Sequence, residues 1–173
     1  MGVTDSQDGG VEVTRRGKAS MAALVILVAV SFIPAIFGSR FRPDVWYEGL
    51  VKPALNPPNW IFGPVWTLLY GLMGVSAWLV WREGRHRRVQ GPFLLFGIQL
   101  VFNGLWSYLF FGLKNPGLAF IEILVLWAAI AFTLAAFWQR NRPAGLLLIP
   151  YLTWVSFAVY LNFELWRLNR IVL

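Results

Sequence analysis

The chain has 173 residues, 58% of them hydrophobic and only 13% charged, with mean hydropathy +0.61, which is too apolar for a soluble globular domain of this length. A formal net charge of +7 raises nucleic acid as a partner. Yet the basic residues fall in short clusters between apolar runs, as they do beside membrane spans, and no nucleic-acid module is visible. The absence of cysteine excludes a disulfide framework, a thiol nucleophile and a Cys-ligated metal.

Residues 1–19 are polar and glycine-containing, without periodicity, and carry the basic group Arg15, Arg16, Lys18. A disordered tail is expected there, followed by a single membrane domain over 20–170. The apolar run after Ser20 lacks a small-x-small cleavage site, so it reads as an uncleaved first span over 21–37, its end kinked by Pro34. Further spans are expected at 61–81, 93–113, 118–137 and 144–166, each close to the roughly 20 residues a bilayer requires. These runs lack the period-two alternation of barrel strands, so the fold class is an all-α membrane bundle of five transmembrane helices.

The connections punctuate that reading. Between the first and second spans lies WYEGLVKPALNPPNWIFGPVW, residues 46–66, with four Pro, three Trp and one Tyr. Pro53, Pro57 and Pro58 forbid a continuous helix and favour a shaped, extended connection that acts as a lid. KNPG places Asn115 at a helix cap with Pro116 in the first turn, and QRNRP repeats the pattern with Pro143. Short connections make sequential spans antiparallel. Lys and Arg number nine on the N-terminal side and six on the other, which favours a cytoplasmic N-terminus.

Polar and aromatic residues inside the spans are the functional candidates. Gln99, Asn103 and Ser107 recur at one-turn intervals on one face of the third span, with Trp106 beside it. On the fifth span Trp154, Ala158 and Asn162 share a face on which a small residue next to an indole opens a gap. Helix packing and ligand contact both account for these faces. Trp66 reads equally as an interfacial anchor. Glu164 has Arg167 as an ion-pair partner, whereas Glu122 has none nearby in sequence and is placed near the membrane surface, one to two turns into its helix. The lone His86 lies in a basic turn and makes a poor metal site. No metal site, catalytic triad or phosphate loop is visible.

The loop WYEGLVKPALNPPNWIFGPVW, the third-span tract QLVFNGLWSYLFF and the fifth-span tract PYLTWVSFAVYLNFELWRLN together resemble the tryptophan-rich sensory protein and translocator protein (TspO/MBR) family, also called peripheral benzodiazepine receptors. The resemblance runs over residues 32–169 and implies five-helix membrane proteins, often dimeric, that bind porphyrins and, in animals, cholesterol and synthetic drugs beneath the first loop. Carried onto this sequence, it puts Trp46 and Tyr47 on the loop side of a pocket, with Trp66, Asn103, Trp106, Trp154 and Ala158 around it. No cofactor is required; protoporphyrin IX or haem is the expected ligand. The animal cholesterol motif is not reproduced, because Phe163 and Glu164 stand in the tyrosine positions of LNFELWR.

The expected function is thus a membrane receptor or sensor for tetrapyrroles. One alternative is a tetrapyrrole transporter, although the internal repeat common in transporters is missing. Another is an enzyme promoting light-dependent porphyrin breakdown, with Trp66 and Trp154 as the candidate electron-rich groups. Expected partners are the lipid bilayer, a porphyrin-type molecule and a second copy of the chain, docked through Gly97 and Gly104 on the third helix.

Overall fold

The computed structural model of the protein describes residues 5–83 and 89–170. The basic turn with His86 lies outside the described residues. Helices run over Asp5–Ser31 (α1), Ile33–Gly38 (α2), Val45–Gly49 (α3), Asn59–Glu83 (α4), Gln90–Ser107 (α5), Pro116–Arg140 (α6) and Arg142–Leu168 (α7). Five stretches are long and apolar enough to cross a membrane: Gly17–Gly38, Asn59–Glu83, Gln90–Gly112, Pro116–Arg140 and Arg142–Leu168. The fold is the expected five-helix membrane bundle.

Three local features depart from the expectation. First, α1 starts at Asp5, inside the segment expected to lack structure. No proline interrupts that segment, so the helix nucleated by the apolar run can extend backward, with Gly9, Gly10 and Gly17 each costing about 1 kcal/mol. Second, the kink expected at Pro34 falls two residues earlier, at Phe32. Phe32 leaves the helix between α1 and α2, and Pro34 sits at the start of α2, where a missing N–H is harmless. Third, the loop contains α3, a single helical turn ahead of its prolines. Asp44 caps it by accepting from the amides of Trp46 and Tyr47 at 3.1 and 3.3 Å.

The end of α5 widens into a π-helical turn over Tyr108–Gly112, in which the Leu113 amide donates to the Tyr108 carbonyl at 2.8 Å. Such a turn inserts one residue and re-aims the side chains around it. Here it surrounds the adjacent Phe110 and Phe111. Lys114 then takes a left-handed conformation, φ 52°, which reverses the chain. Asn115 caps α6 at 2.9 Å from the Leu118 amide and Asn141 caps α7 at 2.9 Å from the Ala144 amide, both as the sequence led one to expect.

Long-range contacts fix the two ends of the bundle. The Lys114 ammonium pairs with Asp44 at 2.8 Å, and Asn169 bonds the backbone of Val51, so the first loop, the α5–α6 turn and the end of α7 share one end. At the other end the Trp78 indole donates to the Ser20 carbonyl and Asn141 donates to Glu83. A recess of about 350 Å³ lined by Leu79, Arg82, Glu83 and Asn141 opens at that second end and includes none of the expected ligand residues.

The core lies where α4, α5, α6 and α7 meet, around Met73, Ile130, Phe137, Leu148 and Tyr151. Outward apolar residues such as Leu68, Val101 and Phe132 are exposed, as a lipid-facing surface requires. The first span buries little of itself but approaches α4 very closely at Gly74. A Cβ there would fall 2.5 Å from the Val28 Cα, so only glycine permits this crossing.

Candidate ligand-binding site

The residues expected at the site fall into two adjoining groups. Beneath the loop, Tyr47 is buried against Phe110 and Phe111, with ring centroids 6.2 and 5.5 Å away, and Trp46 meets Phe110 edge-on at 6.0 Å. Trp106 stacks on the other side of that cluster, 5.0 Å from Phe110. Deeper, Trp66, Trp154 and Ala158 pack against the main core. Trp106 touches both groups and joins them.

Around Trp66 the rings form a wall. Its indole stacks on Tyr70 at 5.3 Å and meets Tyr151 edge-on at 6.1 Å. Trp154 lies edge-on to Phe62 at 5.9 Å. Offset and edge-on geometries place the positive rim of one ring on the negative face of the next.

Behind the wall runs a chain of hydrogen bonds with a defined direction. The Tyr70 hydroxyl donates to Asn103 Oδ1 at 2.7 Å. Asn103 Nδ2 donates to the Tyr151 hydroxyl at 2.9 Å, and that hydroxyl donates to Gln99 Oε1 at 2.9 Å. All four groups are buried, so each bond holds a polar atom that would otherwise be costly in the bundle interior. Asn103 thus ties α4, α5 and α7 together, and Gln99 belongs to the same system. Ser107 does not: it lies against α2, where a Cβ on Gly38 would come within 2.9 Å of its hydroxyl.

Asn162, on the Trp154 face, accepts from the Trp106 indole at 2.9 Å and donates to the Pro116 carbonyl at 2.8 Å. Its role is to join α5, α6 and α7. Four buried side-chain atoms have no hydrogen-bond partner among the described residues: Gln99 Nε2, Trp154 Nε1 and both Glu122 oxygens. Glu122 lies within the first two turns of α6, and it is only 6% exposed because α6 turns that face toward α5 and α7. The pair Glu164–Arg167 forms as expected, at 2.7 Å.

The sequence matches the TspO/MBR family over residues 22–167. The chain belongs to the TspO/MBR family. It is 43% identical over 150 residues to a tryptophan-rich protein TspO of Chlorobaculum tepidum, covering 84% of this chain and 95% of that one. It is 40% identical over 149 residues to a tryptophan-rich sensory protein of Cereibacter sphaeroides, covering 86% and 92%. With the human translocator protein it shares 41% identity over 138 residues, covering 77% and 82%. Family and spans together make it an integral multi-pass membrane protein.

In this TspO/MBR chain the residues overlooked at the sequence level are the two phenols. Tyr70 lies one turn after Trp66 and Tyr151 one turn before Trp154, so helical spacing marks both. A Tyr inside a span reads by default as an apolar ring, so spacing alone does not reveal the hydrogen bonds these hydroxyls make.

Proposed function

We propose that the chain is a membrane receptor or sensor that binds flat tetrapyrroles, protoporphyrin IX or haem, against Trp66 and Trp154, with the buried rings of Tyr70 and Tyr151 behind them. The observation carrying this reading is Trp66 packed on Tyr70 and Tyr151, whose hydroxyls the Asn103 chain holds fixed, together with the buried Trp154 N–H, which has no partner among the described residues and could meet a ligand acceptor. A macrocycle stacks on such rings, and Ala158 keeps the space beside them small-sided. Trp46 and Tyr47 close the loop side through Phe110, with Trp106 behind.

Titration of the purified protein with protoporphyrin IX, followed by tryptophan fluorescence in the dark, tests the reading. Saturable quenching is the expected result, and Trp66→Phe or Trp154→Phe should weaken binding by about 1 kcal/mol each. Folded Ala158→Leu should lose binding. Parent-like affinity in that variant would make the Trp154 face a packing surface and refute the assignment. A parallel titration under illumination separates receptor from enzyme, since an enzyme forms a new pigment faster than the porphyrin's own photo-oxidation in a protein-free control.

A further inference from the structure

The end of the bundle opposite the first loop carries polar chemistry that the aromatic site does not use. Leu79, Arg82 and Glu83 stand at i, i+3 and i+4 near the end of α4, so the three share one face. With Asn141 they line the recess of about 350 Å³. Sites for small molecules run from roughly 300 to 1,000 Å³, so this recess suits a compact group. Its depth follows from what surrounds it. α4 ends at Glu83 and α6 at Arg140, so the recess opens where two spans leave the hydrocarbon. Trp81 and Trp138, 41% and 40% exposed, stand beside it in sequence, as indoles do at headgroup level.

Both charged groups of the recess are held in place by other residues. The Trp78 indole donates to the Ser20 carbonyl at 2.9 Å, which fixes the ring against α1. The Arg82 guanidinium lies over that ring, 4.7 Å from its centre. Stacking uses the flat face of the guanidinium and leaves its N–H edge to donate elsewhere. On the other side, Asn141 Oδ1 accepts from the Ala144 amide at 2.9 Å while its Nδ2 donates to Glu83 Oε1 at 3.0 Å. Glu83 Oε2 has no partner among the described residues. The ion pairs among those residues are Asp44–Lys114 and Glu164–Arg167, so Arg82 and Glu83, adjacent and opposite in charge, are not paired with each other.

We propose that the recess binds the zwitterionic headgroup of an aminophospholipid such as phosphatidylethanolamine. Arg82 donates to the phosphate, Glu83 Oε2 accepts from the primary ammonium, and half-buried Leu79 meets the apolar stem of the lipid. One positive and one negative side chain match a headgroup that carries one of each. A purely anionic headgroup would leave the Glu83 carboxylate facing it without a donor, and a choline headgroup has no N–H to offer. Arg140 and Arg142 border Asn141 in sequence but do not line the recess, so they draw anionic lipid to this end without choosing a headgroup. The site includes none of the rings of the proposed tetrapyrrole site and stands whether or not that reading does.

Native mass spectrometry of the full chain, delipidated in detergent and titrated with dioleoyl lipids that differ only in headgroup, tests the proposal. Phosphatidylethanolamine should be retained about threefold to tenfold more than phosphatidylcholine or phosphatidylglycerol, the increment of one charged hydrogen bond near a surface. Glu83→Ala should remove that preference and leave phosphatidylcholine retention unchanged, whereas Arg82→Gln should lower retention of all three lipids. If Glu83→Ala does not fold by circular dichroism, Glu83→Gln, which keeps an acceptor for Asn141, makes the same comparison. Equal retention of the ethanolamine and choline lipids by the parent, or a preference that survives the Glu83 variants, would overturn the proposal. Strongest retention of phosphatidylglycerol would make the recess a plain anion patch and overturn it as well. Free O-phosphoethanolamine in excess should not displace the bound lipid; displacement would make the soluble phosphate ester the occupant and refute the lipid assignment.

Discussion

The Asn103 chain makes a quantitative demand on the bundle. Asn103→Leu keeps the side-chain volume but removes two interhelical hydrogen bonds, one from Tyr70 and one to Tyr151. The two losses differ in kind. Tyr151 keeps its bond to Gln99, whereas the Tyr70 hydroxyl is left buried as a donor with no acceptor. Interhelical bonds in membranes average about 0.6 kcal/mol, and a stranded buried donor adds about 1 to 3 kcal/mol, so destabilisation by about 2 to 3 kcal/mol is expected. Tyr70→Phe retains the ring against Trp66 and Phe32 and should cost about 1 kcal/mol. In the double variant the stranded donor no longer exists, so the combined loss should fall short of the sum by about 1 kcal/mol. Reversible unfolding in mixed micelles, followed by far-ultraviolet circular dichroism, reads all four corners of this cycle. Additivity within about 0.5 kcal/mol would mean that Tyr70 and Asn103 do not act as a pair, and the rigidity ascribed to the wall would lose its basis.

Three further outcomes are expected. The two glycines expected to mediate dimerisation separate: a Cβ on Gly97 meets nothing within 4 Å, but one on Gly104 meets Phe37 and Pro34 of α2, at 3.5 Å and beyond. Gly97→Leu should therefore reduce dimer content in detergent without loss of stability, while Gly104→Leu should destabilise the monomer by about 1 to 3 kcal/mol through overpacking; an unchanged dimer in Gly97→Leu would remove this face as the interface. Glu122→Met should stabilise the protein by about 1 to 3 kcal/mol in the same unfolding assay, since it replaces a buried, unpartnered carboxyl by an apolar group of similar size; destabilisation would show that the carboxyl has a partner when the protein is at work. The hydrogen bond from Lys114, aided by the Tyr47 and Trp46 amides, holds the Asp44 carboxyl below its ordinary range. Its contribution is present above the ordinary aspartate pKa and is lost as pH falls below it, so acid should change Trp46 fluorescence in the parent and not in Asp44→Asn.

Much of this architecture was legible because a bilayer leaves few choices. Span number, antiparallel order and the caps at Asn115 and Asn141 all follow from runs of apolar residues and the chemistry of their ends. The departures share a different origin. The π-helical turn at Tyr108–Gly112 depends on which carbonyl the Leu113 amide reaches, a choice set by packing against the loop rather than by local composition. The break at Phe32 could not be placed by Pro34 alone, because proline is accepted at the start of a helix as readily as it is rejected within one. Burial of Glu122 was hidden for a similar reason. Depth along a helix is readable from sequence, but the direction its face takes is fixed only by the neighbouring helices.

The same limit explains why the tryptophans could not be sorted by position. Indoles at helical spacing look alike in sequence, yet each carries one N–H that needs an acceptor when buried. In the fold Trp78 donates to the Ser20 carbonyl, Trp127 to Ser156 and Trp106 to Asn162, so each of these rings fastens one helix to another. Trp154 is different: its N–H is buried, faces the bundle and has no partner among the described residues. A buried donor without a partner costs stability in the free protein, and of the unpartnered buried atoms among the described residues Trp154 Nε1 is the one carried by an aromatic ring of the proposed site. On the proposed tetrapyrrole reading Trp154 is the ligand-facing end of the site and Trp106 its structural back, even though helical spacing offered both on equal terms. The distinction can be checked directly. Trp106→Phe should strand the Asn162 acceptor and lower stability, whereas Trp154→Phe should leave stability near the parent's and weaken porphyrin binding. If the two effects were exchanged, the division of the site into a binding wall and a structural back would have to be reversed.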